Sequence, residues 1–184
     1  GMTPMLAQIG INDGSFAKAG LQIEKKCFNS GSDAVQALVG GSIDINLGSY
    51  EHVLRMQNNQ LDVKAYGEIY DGVGYSLVVK KDAPYQSLAD LKGKRVALGS
   101  ADSGQAAILP YHFLKEAGLD PERDVTLIRF NLDVGKHGDT GTSEYEVLRA
   151  LKENEADVGA IGESTWIRML EQGMVNTNEI KAFW

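Results

Sequence analysis

The feature that most constrains this chain is an alternation of short apolar, β-branched runs with longer segments of helical period. Runs of the first kind include GYSLVVK (74–80), RVAL (95–98), VTLIRF (125–130) and VGAI (158–161). Between two of them, Ala106, Leu109, Phe113, Leu114 and Ala117 repeat at the i, i+3, i+4, i+7 spacing of an amphipathic helix. Alternation of this kind predicts an α/β fold with mostly parallel strands, because a parallel pair needs a crossover of helix length. The C-terminal part is expected to hold strands over 74–80, 95–98, 125–130, 158–161 and 180–184, with helices over 87–91, 145–152 and 165–172 beside the one above. Pro110 falls inside that helix and should kink it or loosen its first turns, and Gly118 suits a left-handed C-terminal cap. The N-terminal part reads as a helix end (3–9), a strand (21–28), a helix capped by Ser32 and Asp33 and running to Val39, a strand (43–47), a helix (49–57) and a strand (61–69). The chain changes lobe near Asp71 and Gly72. Each part holds a small-polar loop, a helix and a strand containing Asp (Asp44, Asp157), an echo that suggests two related lobes.

Charge narrows the partners. Among 184 residues the formal balance is −7, which sets nucleic acid and anionic membrane surfaces aside because both would repel the chain. An anionic ligand would have to be held by local dipoles. No apolar run approaches the roughly 20 residues of a membrane span, and the first residues lack a signal-peptide pattern. Cys27 is the single cysteine, so no internal disulfide or cysteine cluster can form. Lying at the end of an apolar strand, it is expected to be a small buried hydrophobe.

In an open parallel sheet, ligands sit beyond the C-terminal strand ends, where loops lead into helix N-termini. Three loops qualify: Gly48-Ser49-Tyr50, Gly99 to Gln105, and Gly162-Glu163-Ser164. The strongest is GSADSGQ (99–105), directly after RVAL. Free amides and the positive end of a helix dipole suit such a loop to oxyanions, Ser100 and Ser103 add hydroxyls, and Gly104 admits close approach of a ligand. A ligand here would meet Ser103 and the amides of Ser103–Gln105. The loop lacks the GK[ST] ending of nucleotide hydrolases. The plainer alternative is that Ser103 or Asp102 only caps its helix, and that Glu163 only stabilises a first turn. Tyr50, Tyr75 and His137 taken alone are as consistent with rim or solvent as with ligand contact. No GxSxG elbow, HExxH pair or cysteine beside a base is present, so no catalytic residue, metal ligand or cofactor is assigned.

The stretch SLADLKGKRVA (87–97) resembles a signature of the substrate-binding proteins of ABC importers for phosphonates, sulfonates, taurine and nitrate. SADSGQAAILPYHFLKEAGLDPERDV (100–125) is similar to the phosphate/phosphonate branch, ALKENEADVGAIGES (150–164) to a later strand of the family, and ALVGGSIDINLGSYEHV (37–53) to its first lobe. The resemblance covers nearly the whole chain. It implies a type II periplasmic-binding fold with a partial first lobe (1–73), lacking its first strand and its C-terminal return, and a complete second lobe (74–184). It further implies a non-catalytic protein that captures a small anionic solute in an interlobe cleft and serves a membrane permease from a periplasmic or extracytoplasmic location. Ligand contacts carried over by position are Tyr50, Tyr75, Ser100, Ser103, Gly104, His137 and an acidic residue near Glu163; Ser49 and Gln105 join them as members of the loops named above. The exposed edges of a partial first lobe would invite a second copy. Two other readings stand beside this one. One is an enzyme on the same scaffold, of the menaquinone-pathway dehydratase or thiamine-pyrimidine synthase type, although the latter carry a cysteine-rich segment. The other is a ligand-sensing domain.

Overall fold

The computed structural model describes residues 2–28, 31–68, 74–135 and 141–183. The chain divides into two compact units, Gly1–Gly72 and Val73–Trp184.

The first unit holds four helices: α1 (Met2–Asn12), α2 (Ser15–Lys18), α3 (Gly31–Val39) and α4 (Tyr50–Asn58). The three strands expected at 21–28, 43–47 and 61–69 do not form among the described residues. An apolar run becomes a strand only when a neighbour supplies ladder partners for its amides and carbonyls. No backbone hydrogen bond joins these segments to one another among the described residues. Side chains tie them instead: Lys25 Nζ donates to Gln8 Oε1 at 2.7 Å, Lys26 Nζ to the Ser42 carbonyl at 3.2 Å, and Gln57 Nε2 to the Val63 carbonyl at 3.0 Å. Without a sheet to cover them, Leu21, Ile23, Phe28 and Ile45 stay exposed. Cys27 is exposed for the same reason, contrary to the burial expected of it.

The second unit is a three-layer α/β structure. Its strands are β1 (Tyr75–Lys80), β2 (Arg95–Leu98), β3 (Thr126–Arg129), β4 (Val158–Gly162) and β5 (Ile180–Ala182), in the order β3-β2-β4-β1-β5. β2 pairs in parallel with β3 and β4, and β1 pairs antiparallel with β4 and β5, so four of the five strands run one way. Alternation along the strands divides the core. Leu77, Val79, Val96, Leu98, Val158 and Ala160 face one side, packing on Ala107 and Leu114 of the helix after β2. Val78, Ala97, Ile161 and Ile180 face the other, against Val147, Leu148 and Leu151 of α6 (Thr142–Lys152) and Met169 of α7 (Glu163–Glu171). This is the period-two pattern of strands covered on both faces.

The helix after β2 runs from Gly104 to Glu116 and opens as a π turn (Gly104–Ile108) before becoming α5 (Leu109–Glu116). Pro110 explains the wide start. It has no N–H for the Ala106 carbonyl, and that carbonyl accepts from Gly99 N at 2.9 Å instead. The helix end is folded back on the strand end, and a Cβ at Gly99 would lie 2.7 Å from the Ala106 Cβ. The expected loosening by Pro110 is therefore a π turn. Gly118 follows the helix at φ +84, as a left-handed cap requires.

Candidate functional site

Because β2, β3 and β4 are parallel, their C-terminal ends share one edge of the sheet. Tyr75 joins them because β1 runs the opposite way, placing its first residue opposite Gly162. Every buried polar side chain described in residues 74–183 lies at this edge: Ser100, Ser103, Asp133, Ser143, Glu144 and Thr165. Clustering of this kind requires mutual hydrogen bonding, since each group has given up water.

Ser100 ties two loops together. Its Oγ accepts from Asp133 N at 2.9 Å and lies 2.7 Å from Ser143 Oγ. Asp133 Oδ2 accepts from Ser143 N (2.7 Å) and Ser143 Oγ (3.0 Å), securing the first turn of α6. Ala101 N donates to Asn131 Oδ1 at 2.9 Å, and Gly135 N to Asp102 Oδ2 at 2.8 Å, so the loop 99–103 is bound along its length to the loop after β3.

Ser103 is the N-cap of the 104–116 helix, with its Oγ accepting from Ala106 N at 3.1 Å. The Ser103 amide donates to the Ser100 carbonyl at 2.8 Å. The amides of Gly104 and Gln105 donate to no acceptor among the described residues. These two groups stand at the positive end of a helix dipole, the arrangement that favours an anion.

The fifth buried group, Glu144, faces the end of β4. Its Oε1 accepts from Gly162 N at 2.6 Å and its Oε2 from Thr165 Oγ1 at 3.1 Å. Arg168 Nη2 donates to the same Thr165 oxygen at 3.3 Å, and its guanidinium lies 5.9 Å from the centre of the Tyr145 ring. Burial pushes the Glu144 carboxyl up to about 7, outweighing the hydrogen bonds from Gly162 and Thr165 and the nearby Arg168 charge. A Cβ at Gly162 would lie 2.4 Å from Gln105 Oε1 and 3.0 Å from Glu144 Oε1, so only glycine lets both side chains close on this strand end.

Six of the residues expected at a ligand site thus meet at one edge: Tyr75, Ser100, Ser103, Gly104, Gln105 and Glu163. Tyr75 stacks on Phe113 with ring centroids 5.9 Å apart, and burial, then the Glu116 charge, raises its phenol above the ordinary range. Glu163 N donates to the Gly74 carbonyl at 2.8 Å, where Glu163 opens α7. Ser49 and Tyr50 belong to the first unit, where Ser49 is the N-cap of α4 and Tyr50 is exposed. His137 lies outside the described residues. Sequence reasoning passed over Asp133, Ser143, Glu144 and Thr165. Ser143, Glu144 and Thr165 signal only by standing in a helix's first turn, a place that ordinary capping residues share, and Asp133 only by standing in a polar loop after β3.

Chemically the edge sets the Gly104 and Gln105 amides, without acceptors among the described residues, beside the buried carboxyl groups of Asp133 and Glu144. Among the described residues no histidine bonds to Ser100, Ser103 or Ser143, and no three His, Cys, Asp or Glu side chains converge to hold a metal. No described helix is long and apolar enough to cross a membrane.

The comparisons with known proteins agree with this architecture. The family model for the phosphonate periplasmic substrate-binding protein of ABC transporters matches residues 17–184. Among solved structures, the periplasmic aliphatic sulphonate binding protein SsuA from Escherichia coli is similar at 22% identity and a TM-score of 0.58, over 85% of this chain and 47% of that one. PhnD1 from Prochlorococcus marinus (MIT 9301), in complex with methylphosphonate, is similar at 24% identity and a TM-score of 0.45, over 60% of this chain and 39% of that one. An ancestral arginine-binding protein bound to glutamine reaches 19% identity and 0.48, over 94% and 65%. The fold likeness rests on the first of these, and the chain spans about half of that protein's length. No curated protein matches the sequence.

Proposed function

Because the chain belongs to the phosphonate family of periplasmic substrate-binding proteins of ABC transporters, we propose that it captures a small oxyanion, a phosphonate or sulfonate, for delivery to a membrane permease. In this reading it works outside the cytoplasm, as a binder and not as an enzyme. One observation carries the choice of ligand: the amides of Gly104 and Gln105 stand without acceptors among the described residues at the start of a long helix. An acidic chain must replace an anion's hydration with fixed donors, and charge-assisted hydrogen bonds contribute about 1.5–3 kcal/mol each. Ser103 adds its hydroxyl proton, since its oxygen already accepts from Ala106 N. Tyr75, Gln105 and Glu163 line the rim. Ser100 acts by holding the loop rather than by touching ligand, because its oxygen is engaged with Ser143 and Asp133 N. His137 and Tyr50 are assigned ligand contact by family position, and Ser49 by its place in the loop Gly48-Ser49-Tyr50.

Gly104→Pro tests the donor directly. Residue 104 is the first of the helix, where proline is tolerated, and Ser103 before it is extended (φ −74, ψ 121), as proline requires of its predecessor. The substitution removes one N–H and keeps the helix. Calorimetry with methylphosphonate and methanesulfonate should show affinity falling about tenfold or more in Gly104→Pro. Gly104→Ala, which keeps the N–H, should fall far less. Equal affinity in Gly104→Pro and Gly104→Ala would reject the amide as a ligand donor.

A further inference from the structure

An oxyanion at the 104–116 helix start would bring negative charge beside a carboxylate that the fold has already buried. Glu144 is 4% exposed. It reaches Gly162 N at 2.6 Å, and Gln105 closes on the same glycine. Gln105 also carries one of the two amides assigned to the ligand, so Glu144 and the donors are separated by a single residue's side chain.

The groups facing Glu144 decide its response. From α7, Arg168 lowers its proton affinity and Thr165 donates to it; from the loop after β3, Asp133 raises it by like charge. Among the described residues, Gly99 and Gln105 approach from β2 and the following helix, and Gly162 from β4, all of them neutral. Among the described residues one cation therefore opposes one anion, and burial tips the balance toward the neutral carboxyl. An added anion acts in the same direction as Asp133.

We propose, resting on the oxyanion reading above, that Glu144 is a positioning residue that makes anion capture proton-linked, taking up a proton as the oxyanion binds while keeping its hold on Gly162 and Thr165. The balance is simple. One O–H bond forms on a Glu144 carboxylate oxygen, the proton comes from buffer, and no bond in the ligand breaks. Since the carboxyl of the free protein titrates at about 7, affinity is highest below that pH and declines above it, by at most about tenfold per pH unit for one proton. Linkage is reciprocal, so ligand raises the Glu144 proton affinity by the factor that the proton raises ligand affinity.

Methanesulfonate is the suitable probe, because a sulfonate keeps one charge throughout the range and its own titration cannot imitate the effect. Calorimetry of the full chain at pH 6, 7.5–8 and 8.5, in buffers of contrasting ionisation enthalpy, counts protons directly. Wild type should take up a fraction of a proton at pH 7.5–8 and bind several-fold more weakly at pH 8.5 than at pH 6. Glu144→Gln should take up none and lose the pH slope. Arg168→Gln, which removes the facing cation, should move the slope to higher pH, a displacement that a merely structural role would not produce. Wild-type binding with equal affinity at pH 6 and pH 8.5, or undiminished proton uptake in Glu144→Gln, would overturn the inference and leave the anion site standing. No binding of methanesulfonate, methylphosphonate or inorganic phosphate at any pH would remove the site, and the inference with it.

Discussion

Glu144 should also leave its mark on the stability of the protein without ligand. Its carboxyl stands at about 7 in the folded chain against 4.5 for an ordinary one. Between these values the native state holds a proton that the unfolded chain has released, so stability falls as pH rises. This is the reverse of the usual carboxylate. The contribution is fully present below about pH 4.5 and is lost as pH passes through 7. At 1.36 kcal/mol per pKa unit, the whole loss is roughly 3 kcal/mol. Glu144→Gln mimics the protonated form: its amide oxygen can accept from Gly162 N, and its amide nitrogen can donate to Thr165 Oγ1. It should match wild type within about 1 kcal/mol at pH 5 and equal or exceed it at pH 8. Urea unfolding followed by tryptophan fluorescence reads the relevant unit, because Trp166 and Trp184 both fall in Val73–Trp184. Trp166 packs on the core that α6 and α7 cover. Across pH 5–8 the difference between wild type and Glu144→Gln should change by about 2–3 kcal/mol. A difference constant to about 0.5 kcal/mol would refute the reasoning, since a carboxyl that titrates alike in both states cannot contribute to the slope.

Two further outcomes test the framework that holds the site. Ser100→Ala deletes the oxygen that receives Asp133 N and meets Ser143 Oγ, and should cost about 1–3 kcal/mol, with faster amide exchange at Asp133. Leu151→Ala, in the fully buried layer between the sheet and α6, should cost about 2–5 kcal/mol in the same unfolding experiment, and a cost below about 1 kcal/mol would contradict the packing described.

The strands of the second unit were legible because their signal is local. Leu77 and Val79 against Val78, and Val96 and Leu98 against Ala97, alternate between two apolar faces, and that alternation is carried by neighbours in sequence. Pro110 and Gly118 were legible for the same reason, each acting through its own backbone. The same periodicity misled at 21–28, 43–47 and 61–69. A pattern shows that a segment can be extended, but a ladder needs a partner strand, and no pattern supplies one.

The sequence by itself determined an α/β chain with acidic charge and a loop of small polar residues after the second strand of the sheet, since each follows from composition or from residues a few positions apart. Only the tertiary structure decided which polar groups of that loop have partners among the described residues and which do not. Ser100 meets Ser143 across 43 positions, and Glu144 meets Gly162 across 18. Such partners are chosen by the order in which strands lie side by side, and β4 lies next to β2 only after the chain has crossed β3. Burial then does what no residue type does alone. It turns an unremarked glutamate of a helix's first turn into a carboxyl poised near neutrality, because removing it from water penalises the charge more than Gly162, Thr165 and Arg168 compensate.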